Sequence, residues 1–253
     1  VNAPTEEALR PDLSIVIPAL DEAGNIGELV RRCLATLEGL EATHEIFVID
    51  GGSKDATVDE ARAAGARTAL QTEPGYGGAL REGFESASGR WILTMDSDLS
   101  HEPEVIAQLW EGRERADVVI ASRYAAGGAA DMSLLRAVLS RILNVVFTTA
   151  YRIPIRDISS GFRLYRREAI ESIPIRRRDF DVLEEILIRI HVRGGSVAEI
   201  PFHYRPRKEG RSHARLFKFG LAYARTFFSM LWLRWGRRRA SPGAAHDRSD
   251  ERR

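Results

Sequence analysis

A single cysteine, three methionines and a formal net charge of only +1 set the first limits on this 253-residue chain. One cysteine cannot form an internal disulfide, and Cys33 occupies an apolar position of a helical pattern, where a core thiol is expected rather than a nucleophile. The near-zero charge removes the general attraction to polyanions, so no nucleic-acid partner is expected. Apolar runs of bilayer length are also lacking in the aromatic-rich stretch from Leu216 to Trp235, where arginines interrupt them short of the roughly 20 residues that span a membrane. No basic flank followed by an apolar centre opens the sequence, so export is not expected and a cytoplasmic setting is. What remains, 44% hydrophobic and 29% charged residues, is globular material sufficient for one large α/β domain with appendages.

The first half alternates short apolar strands with helical patterns. Leu13 to Ile17 reads as a buried strand ended by Pro18, and Ile26, Leu29, Val30, Cys33, Leu34, Leu37 and Leu40 then recur at helical spacing behind Asn25 as N-cap. Glu45 to Ile49 is a second strand, ending in Asp50. Gly51-Gly52 turns the chain, and residues 53–55 can cap a helix running to Gly65. Arg67 to Gln71 is a third strand. The glycine-rich segment 74–79 opens a helix through Ala87, where backbone amides could approach a phosphate. Trp91-Ile92-Leu93 is a fourth strand, followed by Asp96 and Asp98 one residue apart, and Val118 to Ala121 a fifth, followed by Arg123. Such alternation predicts a mostly parallel, doubly wound sheet, which binds ligands at the carboxyl ends of its strands. Glu22, Asp50, Asp96, Asp98 and Arg123 all fall just after strand ends. An Asp-x-Asp pair there offers hard oxygens to a divalent cation, which can in turn hold a diphosphate. Asp50 reads equally as an acceptor for base or ribose and as a turn-capping aspartate.

The second half carries a long helical pattern over 133–150, with Arg136 and Ser140 four residues apart on one face. They suit a phosphate clamp or a solvated face. Asp157 to Gly161 is a polar turn with a strand-like exit through Tyr165. A helix is predicted over 179–193, in which Glu184 and Glu185 are either acids for catalysis or its wet face, and a strand follows over 196–202. A basic, glycine-containing loop then contains Arg205, Arg207, Arg211 and His213. The predicted organisation is a loose arm over 1–12, a catalytic domain over 13–213, an amphipathic helix over 214–239 and a disordered tail over 240–253. The helix reads as membrane-interfacial, through aromatics at headgroup level and arginines toward anionic lipid, or as docked on the domain or a second subunit.

Seven motifs in this order, IPALDE (17–22), VIDGGSKDAT (48–57), GYGGALREGF (75–84), MDSDLSHEPEVI (95–106), ASRY (121–124), DISSGFRLYRRE (157–168) and RKEGRSH (207–213), resemble the inverting family-2 glycosyltransferases of the GT-A fold, in particular the polyprenol (dolichol) phosphate mannose synthases. The resemblance spans roughly residues 13–215. It implies a GDP-mannose donor bound through Pro18, Leu20, Glu22, Val48, Asp50, Ser97, Asp98 and Ser100, with Arg207 and His213 in a loop over it. It implies Mg²⁺ or Mn²⁺ near Asp96, Asp98 and Ser100, and an acceptor polyprenyl phosphate held by Arg123, Arg136 and Ser140 at the cytoplasmic membrane surface. Asp98 and Arg123 are then the expected catalytic pair. The sequence departs from the family at Gly51, commonly an acid, Leu20, commonly aromatic, Ser100, often glutamine, and His213, commonly lysine. Those departures keep a UDP-sugar donor for glucose or an N-acetylhexosamine open, and motivate the further reading of a catalytically weak homologue that recruits a membrane partner. An acceptor that is a sugar hydroxyl would instead need a carboxylate base, for which Asp157 and Glu184 are the candidates.

Overall fold

The computed structural model describes residues 10–205 and 222–231. Its centre is a seven-stranded sheet in the order β3-β2-β1-β4-β7-β5-β8. These strands are β1 (Leu13–Ala19), β2 (His44–Asp50), β3 (Arg67–Leu70), β4 (Trp91–Thr94), β5 (Val118–Ser122), β7 (Arg163–Arg166) and β8 (Val197–Pro201). All pair in parallel except β7, which runs antiparallel to both β4 and β5. Two short strands, β6 (Ala129–Ala130) and β9 (His203–Tyr204), form a separate parallel pair.

The apolar runs read as strands are central because both faces are covered. Along β1 the side chains alternate: Leu13, Ile15 and Ile17 enter one core, and Val16 enters the other. The first core is closed by α1 (Ile26–Glu38), α2 (Thr57–Ala63) and α4 (Val105–Glu111), and holds Cys33 with no exposure. Burial pushes the Cys33 thiol pKa up to about 12, so it stays a neutral core group. The second core is closed by α3 (Tyr76–Ser86), α5 (Leu134–Tyr151), α6 (Arg167–Glu171) and α7 (Val182–Val192).

Several boundaries differ from the sequence reading. Pro18 does not stop β1 but lies inside it, paired with Ile49. The Val16 carbonyl accepts from Met95 on the β4 side, so Pro18, two residues on, directs its missing N–H beyond the end of β4, where no ladder bond is lost. Asn25 does not cap α1 with its side chain. Its amide donates to Glu22 Oε2 at 2.9 Å, and the Glu22 carbonyl accepts from Asn25 and Ile26. The glycine-rich segment is packed against residues 177–178. Gly77 N donates to the Arg178 carbonyl at 2.7 Å, and a Cβ on Gly77 would lie 2.2 Å from the Arg177 carbonyl oxygen. Glycine serves close backbone packing there, and the Gly77 amide is not available to a phosphate.

The apolar residues of α5 largely face outward. Leu134 is 80% exposed, Leu135 64%, Ile142 55% and Val145 63%, with Val138, Leu139 and Val146 near one half. Asn144, Phe147 and Tyr151 face inward. This helix is long and apolar enough to cross a bilayer by length and composition. A further helix, α8, covers 222–231 and docks on the domain. Its Thr226 hydroxyl donates to Asp181 Oδ2 at 2.6 Å, Tyr151 donates to the Phe227 carbonyl, and Met230 is buried in the second core. In the segment read as either membrane-interfacial or docked, the described residues make these contacts with the domain while Phe228 is 70% exposed, and most of the exposed large apolar side chains lie on α5. Arg207, His213, the remainder of 214–239 and the tail lie outside the described residues.

Candidate active site

Parallel pairing puts the carboxyl ends of β1, β2, β4 and β5 on one edge of the sheet. Because β7 runs the other way, the loop that precedes it, residues 157–162, arrives at that same edge. The antiparallel strand therefore brings the polar turn of the second half beside the acids of the first.

Asp96 and Asp98 follow β4 directly. Asp98 is 2% exposed, and its Oδ1 accepts from the Ser100 amide at 3.1 Å and the Ser100 hydroxyl at 2.5 Å. Leu99 between them has φ of 60°, a left-handed conformation disfavoured for leucine by about 1–2 kcal/mol. This tight turn folds Ser100 back on Asp98. Ser100, which the resemblance places at the metal, is fully buried and orients the Asp98 carboxylate. The Asp96 side chain is 31% exposed. Its Oδ1 accepts from the Tyr76 hydroxyl at 3.2 Å, and a Cβ on Gly161 would lie 2.9 Å from that hydroxyl, so Gly161 leaves the contact its space. Tyr76 is also stacked on Phe180, with ring centroids 4.5 Å apart.

Among the described residues no three His, Cys, Asp or Glu side chains cluster as a metal cage. Two carboxylates at a sheet edge suit a hard cation that takes its other ligands from substrate phosphates and water, as Mg²⁺ commonly does. The donor set therefore fits the Mg²⁺ or Mn²⁺ that the resemblance implies, and Asp96 and Asp98 are the residues that would hold it.

The nucleotide-side residues sit at the ends of β1 and β2. Pro18 and Val48 are buried strand residues and Leu20 is 43% exposed. Asp50 is buried, and its carboxylate accepts from the Gly52 and Ser53 amides at 3.0–3.2 Å. Its turn-capping role is thus present. A Cβ on Gly51 would stand 3.4 Å from the Leu20 Cβ and Cδ1. These two of the four departures from the family pattern lie against each other. Glu22 is tied to the start of α2, its backbone amide donating to Thr57 Oγ1 at 2.8 Å. Ser97, between Asp96 and Asp98 in the chain, is buried.

Arg123 follows β5 and is held by Asp157 through a fork of two bonds, Nε to Oδ2 at 2.8 Å and Nη2 to Oδ1 at 2.7 Å. Burial alone would raise the Asp157 pKa, but bonds and charge from Arg123 hold it below the usual carboxylate range. A carboxylate so engaged is a poor general base. Arg123 Nη2 also donates to Ser159 Oγ at 2.8 Å, which receives the Asn144 amide at 3.3 Å, and that amide lies 3.4 Å from Ser140 Oγ. Arg123 and Ser140 are thereby joined through two intermediates. Arg136, exposed on α5, lies one turn before Ser140.

Glu184 and Glu185 contradict the wet-face expectation, because both are completely buried. Glu185 accepts from the Arg176 and Arg177 amides and from Arg189. Among the described residues neither oxygen of Glu184 has a hydrogen-bond partner, and burial, opposed by Arg163, pushes its pKa up to about 8. The folded protein then keeps a proton that the unfolded chain releases near pH 4.5. Stability is expected to be fully present below that pH and to fall as pH rises toward 8. Glu184→Gln should remove this slope, with a gain over wild type on the order of 2–4 kcal/mol at pH 8 and little at pH 5. Chemical denaturation at both values checks this, and parallel pH profiles for the two proteins would refute it.

Three residues of the site were not singled out in the sequence: Tyr76, His101 and Asn144. Asn144 had a signal, a lone amide inside an apolar helical pattern. Its Oδ1 accepts from the Ile158 amide at 2.5 Å and anchors the loop before β7.

Residues 14–173 match Glycosyl transferase family 2, and the protein belongs to that family. Among curated relatives it is 34% identical over 211 residues to the Dolichol-phosphate mannosyltransferase of Pyrococcus furiosus, an alignment covering 79% of this chain and 58% of the relative. It is 32% identical over 208 residues to the Undecaprenyl-phosphate 4-deoxy-4-formamido-L-arabinose transferase of Salmonella paratyphi A, covering 79% and 62%. The chain thus spans about three fifths of the length of these relatives. Among solved structures, glucosyl-3-phosphoglycerate synthase from Mycobacterium tuberculosis, in complex with Mn²⁺, uridine diphosphate and phosphoglyceric acid, superposes with a TM-score of 0.70 at 23% identity, covering 87% of this chain and 78% of that one. The sheet and its flanking helices are a GT-A fold.

Proposed function

We propose that the protein transfers mannose from GDP-mannose to a polyprenyl phosphate with inversion, giving a β-linked mannosyl phosphate lipid at the cytoplasmic face of a membrane. The observation that carries this reading is the string Arg123–Ser159–Asn144–Ser140. It joins a cation at the sheet edge to the polar stripe of α5, whose other side is exposed and apolar. A phosphate with a hydrocarbon tail matches that division. The names of the two curated relatives, which specify dolichol phosphate and undecaprenyl phosphate, point the same way.

The chemistry asks little proton transfer of the chain. A phosphate monoester oxygen is anionic near neutral pH, so it can attack the sugar C1 as it stands. The new C1–O bond forms as the bond from C1 to the diphosphate breaks, and the electron pair leaves with the diphosphate. Attack from the opposite side inverts an α-linked donor to a β product. Arg123, Arg136 and Ser140 would align the acceptor oxygen and offset repulsion between two anionic substrates. A divalent cation at Asp96 and Asp98, when bound, supplies charge stabilisation to the departing diphosphate. The locked Asp157 counts against a hydroxyl acceptor that needs a carboxylate base.

Vesicles containing polyprenyl phosphate, supplied in turn with radiolabelled GDP-mannose, UDP-glucose and UDP-N-acetylglucosamine, test donor and acceptor together. Label is expected in the lipid from GDP-mannose. Label from a UDP-sugar alone would replace the donor, and no lipid label from any donor would sink the acceptor. In the same vesicles, Leu135→Glu with Ile142→Glu should reduce co-flotation at least tenfold, since each buried leucine or isoleucine contributes about 1.5–3 kcal/mol.

A further inference from the structure

His101 lies outside the ligand and substrate sets assigned above, yet it is built into the metal edge with unusual constraint. Its side chain is 4% exposed. The ring is stacked on Phe162, with centroids 4.9 Å apart and planes at 12°, and meets the edges of Phe202 and Tyr204 at 5.6 and 6.5 Å. These partners come from the loop before β7 and from the residues around β9, so the ring is clamped where three chain segments meet. Its Nδ1 accepts the backbone amide hydrogen of Asp96 at 3.0 Å. A ring nitrogen that accepts carries the lone pair, which leaves the hydrogen of the neutral ring on Nε2. That Nε2 faces Asp96 Oδ2 at 3.6 Å, beyond direct hydrogen bonding but close enough for electrostatic orientation. On the other side the Tyr76 hydroxyl holds Oδ1.

We infer that His101 is a positioning residue for Asp96. Its ring, fixed in one tautomer by the Asp96 amide, sets the rotation of the Asp96 carboxylate and so presents it to the divalent cation. Ser100 does the same for Asp98 from the other side of the turn. The inference rests on the metal reading of the Asp96–Asp98 pair. Outer partners of this kind typically change metal affinity by about 10–100-fold when removed.

The test is Mn²⁺ binding by electron paramagnetic resonance, on the full chain with GDP and separately with UDP, for wild type, His101→Phe and His101→Asn. Phenylalanine keeps the stacked ring and removes both nitrogens, whereas asparagine keeps an acceptor in the place of Nδ1. His101→Phe is expected to weaken Mn²⁺ about 10–100-fold, with His101→Asn between it and wild type and circular dichroism unchanged in both. In transfer assays the loss should appear in the Mn²⁺ concentration at half-maximal rate and be largely regained at saturating Mn²⁺. Mn²⁺ affinity within twofold of wild type in both variants, with only thermal stability lowered, would overturn the positioning role and leave the metal reading intact. Absence of Mn²⁺ binding by the wild type with either nucleotide would overturn both.

Discussion

Asp98→Asn should fold as the wild type does and lose lipid-linked transfer by about 10³-fold, because charge stabilisation by a bound metal is worth several kcal/mol and about 4 kcal/mol corresponds to that factor. Asparagine has nearly the same size as aspartate and can still accept from the Ser100 amide and hydroxyl, so the turn around Leu99 keeps its partners. What goes is the negative charge that would face the cation. Raising Mn²⁺ should recover only part of the rate, unlike the expectation for His101→Phe, since a ligand rather than its orientation has been lost. The rate of label transfer into polyprenyl phosphate against Mn²⁺ concentration is the measurement. A variant within tenfold of wild type at ordinary Mn²⁺ would remove Asp98 from the chemistry.

The second large effect is on stability. Asp157 has no exposure and binds the Arg123 guanidinium with both oxygens, while the Arg123 side chain is only 13% exposed. Removing one member of a buried pair strands the other, which typically costs about 3–5 kcal/mol. For Asp157→Ala this corresponds to a fall in Tm of roughly 6–20 °C. Arg123→Met should cost less than Asp157→Ala, because the carboxylate it leaves behind can take up a proton or hold its Ser159 contacts, whereas a guanidinium cannot shed its charge. The double variant should be more stable than the sum of the single losses predicts. Thermal melts of the three proteins settle it, and strict additivity would show that the pair is not coupled.

The positions of Asp96, Asp98, Asp50, Glu22 and Arg123 were legible for a geometric reason. Each follows an apolar strand, and parallel pairing sends all such ends to one edge, so order along the chain becomes neighbourhood in space. Asp50 remained double in the sequence because a carboxylate capping its own turn and one facing a ligand have the same neighbours. The strand-like exit through Tyr165 marked β7, but nothing local in its four residues Arg163–Arg166, two of them arginines, marked that it pairs in the reverse sense. The buried Arg163 explains how that is tolerated: its guanidinium is spent on the carbonyls of Ile158, Ser160 and Leu183. His101 with Asp96, and Tyr76 with Asp96, are contacts that depend on how separate segments cross, which no spacing rule reports. For α5 the helical period was legible but not which face packs. An apolar stripe ordinarily turns inward, whereas this helix packs Asn144, Phe147 and Tyr151 inward and leaves Leu134, Leu135, Ile142 and Val145 exposed.

The reversed strand also divides the inheritance of the two substrates. The described residues expected on the nucleotide side lie on or just after β1, β2 and β4, whereas Arg123, α5 and the loop entering β7 form one continuous stretch from 123 to 161 that reaches the shared edge from the other side. Such a stretch can be exchanged or reshaped as a cassette while the donor strands keep their register. The architecture thus lets a lineage alter what receives the sugar without first relearning how to hold the nucleotide.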